Sequence, residues 1–162
     1  MLRVEISSPV KFSEEIGLSK ASIVRICREI STGVFSEGKY DDVGVERLVG
    51  LNEKMKKAFQ RYQSLSAKDR QQYREDASKD SSNCINLRSS QGISEQFGCA
   101  KSTVSHAIRR SGGGFYNENG RLLGVPECDV EEVKNFIERT PGNPNFIKAA
   151  KKQRNQDWSS VK

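Results

Sequence analysis

Lys101, Ser102, Ser105, His106, Arg109 and Arg110 fall within ten residues and are all hydrogen-bond donors. On a helix beginning near Ala100 they share one face, and Val104, Ala107 and Ile108 take the opposite one. Lysine and a charged histidine donate to guanine N7 or O6, serine donates or accepts, and guanidinium groups bind phosphate. Such a face is suited to reading base edges near the helix start, through Lys101, Ser102, Ser105 and His106. Arg109 and Arg110 are then placed to hold phosphates. His106 reads equally well as an exposed histidine without a role.

A helix presents such a face only if its other side is anchored. Residues 92–110 read as a short helix, a turn at Gly98 and a second helix, with Ile93, Phe97, Cys99, Val104, Ala107 and Ile108 inward. Ser111-Gly-Gly-Gly114 ends the second helix. Gly114 to Gly124 then alternates around Asn119-Gly120, a strong hairpin signal. Asn117, Asn119 and Arg121 on that hairpin could reach a minor groove or the backbone of a duplex. Val130, Val133, Phe136 and Ile137 mark a last helix, stopped at Thr140 to Pro144.

Sliding the chain on itself by 81 positions reveals an earlier copy. Ser13 meets Ser94, Glu14 meets Glu95, Gly17 meets Gly98, Lys20 meets Lys101 and Arg28 meets Arg109. The first copy presents Lys20, Arg25 and Arg28 from corresponding places, with Ile23, Ile26, Cys27 and Ile30 inward. Further on, the segment from Asp42 to Leu48 is matched with that from Asp129 to Ile137. Leu2 to Ile6 alternates like a short strand. Leu48, Leu51, Met55, Phe59 and Tyr62 recur every three or four residues, which predicts an amphipathic helix over 43–62, and Ser66 begins another. Four regions follow: a first unit over 1–49, a helical spacer over 50–89, a second unit over 90–140 and a basic tail over 141–162.

The chain has 162 residues, a net charge of +6 and a sequence pI near 9.2. Residues 1–50 carry 7 Lys and Arg against 8 Asp and Glu, residues 51–90 carry 9 against 5, and residues 91–162 carry 11 against 8. The positive excess therefore lies in the middle and at the end, including the run from Lys148 to Arg154, and favours a polyanionic partner. One histidine and four widely spaced cysteines supply no metal-ligand set, and no phosphate loop or nucleophile elbow is present. A non-enzymatic protein without metal, cofactor or small-molecule ligand is expected. Reduced thiols and the lack of a signal peptide or long apolar run place it in the cytoplasm, off the membrane.

The second copy resembles the winged helix-turn-helix domains of the MerR and excisionase type. The resemblance lies in Ile93 to Ser105, the hairpin around Asn119-Gly120-Arg121, and Asp129-Val-Glu-Glu-Val133 opening a last helix. It covers about residues 90–138 and, less sharply, 9–49, and departs from effector-binding members in lacking a long dimerisation helix and a ligand domain. It implies a mainly α chain with small β-hairpin wings, in which two winged helix-turn-helix units are joined by a helical spacer. It implies sequence-specific binding of double-stranded DNA in the major groove, as in a small transcriptional regulator of bacterial, phage or plasmid type. The alternative is an accessory adaptor in recombination, partition or packaging, whose near-neutral first unit docks a partner protein. A homodimer is compatible with either.

Overall fold

Side-chain caps set the starts of most helices. Ser8, Ser19 and Ser89 accept hydrogen bonds from Lys11, Ser22 and Gly92 N–H, and Asn52 and Ser66 from Met55 and Asp69 N–H. The structure, a computed structural model, describes residues 2–40, 46–80 and 82–139. In chain order the elements are β1 (Arg3–Glu5), α1 (Pro9–Ile16), α2 (Lys20–Glu29), β2 (Gly33–Tyr40), β3 (Glu46–Gly50), α3 (Glu53–Ser64) and α4 (Ala67–Lys79). They continue with β4 (Cys84–Arg88), α5 (Ser90–Phe97), α6 (Lys101–Arg110), β5 (Gly114–Tyr116), β6 (Leu122–Pro126), a 3-10 turn at Glu127–Asp129 and α7 (Val130–Arg139). Both short first helices, α1 and α5, end at a left-handed glycine, Gly17 or Gly98.

The expectation of a mainly helical chain with hairpin wings on two separate winged helix-turn-helix units is overturned. Among the described residues, seven helices surround one six-stranded mixed sheet in the order β1-β5-β6-β4-β2-β3. The reason is strand exchange. A wing is a ribbon that needs no third strand, but here β1 of the first half runs parallel to β5 of the second, and β4 of the second half runs parallel to β2 of the first. The hairpins are thereby built into a shared sheet.

The register repeats between the halves. Arg3, Val4 and Glu5 oppose Gly114, Phe115 and Tyr116, while the matching Cys84, Ile85 and Asn86 oppose Gly33, Val34 and Phe35. In the hairpins Val34 opposes Gly50 and Phe35 opposes Leu48, as Phe115 opposes Gly124 and Tyr116 opposes Leu122. The last contact repeats too. Arg88 pairs with Val125, and Ser7 pairs with Leu51 across the two ends of the strand order, with N–H···O distances of 3.0 and 2.9 Å. The six strands thus close into a ring. A half-turn about the strand direction carries β1, β2 and β3 onto β4, β5 and β6.

These pairings correct the match made downstream of the second helices. The counterpart of Arg121-Leu-Leu-Gly-Val125 is Arg47-Leu-Val-Gly-Leu51. Residues 46–50 are strand, so the helix expected over 43–62 begins only at Glu53. Asp42 and the neighbouring 43–45 lie outside the described residues, as do Thr140 to Pro144 and the basic tail over 141–162. The segment assigned to a helical spacer holds α3, α4 and also β4. Helix α3 fills in the first half the place that α7 fills in the second: Phe59 meets Phe12 edge-on at 5.2 Å, and Val133 packs in the cluster of Ile93. Helix α4 contributes no buried residue, and its Tyr73 rests on Tyr62 at 5.7 Å.

Two apolar clusters hold the ring. One gathers Phe12, Ile23, Cys27, Val34, Leu48 and Phe59 with Leu87 and Phe115, two strand residues of the second half. The other gathers Ile93, Val104, Ile108, Val125 and Val133. Burial pushes the Cys27 thiol up to about 12, which fits a small apolar filler.

The two antiparallel seams are tight. A Cβ at Gly50 would lie 2.6 Å from the Ser7 carbonyl oxygen, and one at Gly124 would collide with the Arg88 carbonyl oxygen. These are equivalent contacts at equivalent seams. Gly50→Ala and Gly124→Ala are each expected to destabilise the protein by about 1–3 kcal/mol, as overpacking does. Gly124→Ala should be the worse, since Gly124 also has φ +145°. Chemical denaturation of both variants beside a surface alanine control checks this, and wild-type stability in either would contradict the seam.

Candidate functional site

Bordered by Ser36 and Glu37 of β2, Glu46 to Val49 of β3, Asn117 and Arg121 to Leu123, one end of the ring opens into a groove of about 790 Å³. The entries to α1 and α5 form its rim. The lining comes in symmetry-related pairs: Lys20 with Lys101, Arg47 with Arg121, Ser8 with Ser89, and Leu48 with Leu122. The groove therefore lies across the internal two-fold axis. Arg109 and Ser105 of α6 add to one side.

Six of the sequence-chosen residues meet here: Lys20, Lys101, Ser105, Arg109, Asn117 and Arg121. Ser102, His106, Arg110 and Asn119 are exposed but do not line the groove. The first-half arginines are placed differently. Arg25 bridges to Glu29 at 3.1 Å and borders a smaller cavity of about 310 Å³ against α3 and α4. Arg28 is half-buried and donates to the Glu46 carbonyl oxygen at 3.2 Å. It fastens α2 to β3, whereas its counterpart Arg109 reaches the groove, 5.5 Å above the Tyr116 ring. Asn117 closes the hairpin, its Oδ1 accepting from the N–H groups of Asn119 and Arg121, both at 3.0 Å.

Sequence reasoning missed Arg47, because a helix was drawn through it. The signal was present in the Arg-Leu-Val-Gly-Leu match, displaced by a longer first hairpin. Lys20, Arg47, Lys101 and Arg121 are exposed and make no ion pair among the described residues. Helix α6 differs from α2 in having Ala100 at its N-cap, with no side-chain acceptor for its first amides. Its positive end is left open to an anion.

The acids near the groove are mostly engaged in the fold. Each hairpin sends a glutamate to the helix entry of the other half. Glu118 accepts from the Ser8 N–H at 2.8 Å and the Ser8 hydroxyl at 2.6 Å. Its counterpart Glu37 accepts from Arg88 at 2.7 Å, and Arg88 also donates to Glu127 at 2.9 Å and Gln96 at 2.8 Å. Of the other acids in the lining, Glu95 accepts from Gln91 on its own helix at 3.4 Å, and Glu46 makes no side-chain contact of this kind among the described residues. Partial desolvation raises the Glu118 pKa, but the Ser8 hydrogen bonds and nearby Lys11 outweigh it and hold the carboxyl below its ordinary value. Among the described residues no helix is long and apolar enough to cross a membrane, and no three His, Cys, Asp or Glu stand together as metal ligands.

A lowered folded-state pKa fixes the sign of the pH effect. The Glu118 contact stabilises fully above the ordinary carboxylate range and is lost as pH falls through the folded value. Glu118→Gln should therefore melt below wild type at neutral pH, with the gap closing on acidification through that range. Thermal melts from neutral to acidic pH test this, and a gap independent of pH would assign the loss to something other than the charge. No family model, curated protein or solved structure matches the chain, so the resemblance to the MerR and excisionase type rests on the quoted residues alone.

Proposed function

We propose that this protein is a non-catalytic, sequence-reading binder of double-stranded DNA that uses the groove and the outward face of α6. The supporting observation is the pairing of cations that make no ion pair among the described residues, Lys20 with Lys101 and Arg47 with Arg121, across one groove. A solvated surface needs no such convergence. Cations that neutralise phosphates release the counterions condensed on a duplex.

The roles divide by reach. Arg47, Arg121 and Arg109 are flexible donors at the groove, suited to phosphate oxygens. Lys101, Ser102, Ser105 and His106 lie on the first half of α6, where a helix end-on to a duplex presents its side chains to base edges. Control of transcription is the role proposed for such a binder.

Binding of labelled duplexes at several salt concentrations tests the reading. Affinity should fall linearly on a log–log plot against salt. Arg47→Ala and Arg121→Ala should each lower that slope by roughly one and weaken all sequences alike. Lys101→Ala should lose discrimination between sequences more than overall affinity. Absence of duplex binding at low salt, or slopes that ignore both arginines, would reject the proposal.

A further inference from the structure

Resting on that reading, we infer that the element bound is an imperfect inverted repeat whose dyad lies over the groove, and that one chain occupies it alone. Tandem binding units can in principle read direct repeats, inverted repeats or unrelated sites. The sheet decides among these. Its register repeats under a half-turn, and its two halves are locked in place by the exchange of β1 and β4. The first residues of α2 and α6 thus face one groove from positions related by rotation, never by translation along a line. Duplex DNA carries the same kind of axis. Its antiparallel strands present backbone phosphates in pairs across each local dyad. Laid axis on axis, Arg47 and Arg121 meet phosphates of opposite strands, and Lys20 and Lys101 meet matching positions of two half-sites.

The repeat is imperfect because the protein's symmetry is broken in named places. Arg109 enters the groove, while Arg28 is turned onto the Glu46 carbonyl. Ser105 stands opposite Val24 in the repeat, and Glu46 stands opposite Gly120. The second half therefore brings more donors and less negative charge, and its half-site is the more strictly specified one. A single chain already supplies both readers, so no second copy is required at one element.

Enrichment of bound duplexes from a random pool by the full-length chain tests this, with native mass spectrometry of the enriched complex. The expected result is an inverted repeat with one half more constrained, at one chain per duplex. Lys101→Ala should reduce discrimination in the constrained half, from about ten-fold or more per position toward unity. Lys20→Ala should do so only in the other half. A direct repeat, an isolated asymmetric site or two chains per element would overturn the inference and leave the DNA reading standing. Retention of no duplex would overturn both.

Discussion

The exchange of first strands between the two halves is the constraint from which the rest follows. Each hairpin holds its own half's first strand on its antiparallel side, β6 against β4 and Leu51 against Ser7, and the other half's on its parallel side. Both antiparallel seams close through a backbone pair beside a glycine, Ser7 with Leu51 by Gly50 and Arg88 with Val125 by Gly124. Hydrogen bonds in such ladders are individually modest, but an unpaired buried edge is expensive, so the halves are bound to complete each other. Once they do, the rotation axis, the shared groove and the convergence of Lys20 with Lys101 are consequences of geometry. The carboxylates reinforce it, since Glu118 and Glu37 both anchor the opposite half at its first helix.

The halves share a plan and divide the labour. The first is the better anchored. Its cluster includes Phe12, Phe59, Tyr62 and Met55, it draws Leu87 and Phe115 from the second half, and it spends Arg28 on holding α2 to β3. The second packs smaller side chains, among them Ile93, Ala107 and Val133, and leaves Arg109 and the whole polar face of α6 outward. A sturdy half thus supports a more exposed one. The near-neutral balance of residues 1–50 against the positive excess later in the chain agrees with that division.

Local signals were legible in the sequence and long-range pairing was not. The helix start at Ser66, the turns at Gly17 and Gly98, the inward faces of α2 and α6 and the Asn-Gly hairpin all depend on neighbours within a few residues. The strand-like alternation at Leu2 to Ile6 was visible as well, but nothing in it names Phe115 as the partner of Val4. Residues 46–50 were misread because Leu48, Leu51, Met55, Phe59 and Tyr62 keep a helical interval across a strand–helix junction, where Leu48 and Gly50 turn inward as alternate strand positions. That error hid Arg47. Half of the residues chosen from the sequence, Lys101, Ser105, Arg109, Asn117, Arg121 and Lys20, line the groove. Arg25 and Arg28 are expected on the same grounds, yet Arg25 pairs with Glu29 on its own helix and Arg28 is held by the Glu46 carbonyl.

Strand exchange also imposes an order on synthesis. When the first half has emerged from the ribosome, the parallel partner of β2 and that of β1 have not yet emerged, since they belong to β4 and β5. The nascent N-terminal half therefore waits with open strand edges, a template for wrong pairing with another nascent chain. Helix α4, mostly polar and with no buried residue, is the last helix made before the first of those partners. A mostly polar helix at that point lengthens the wait while adding little apolar surface to it.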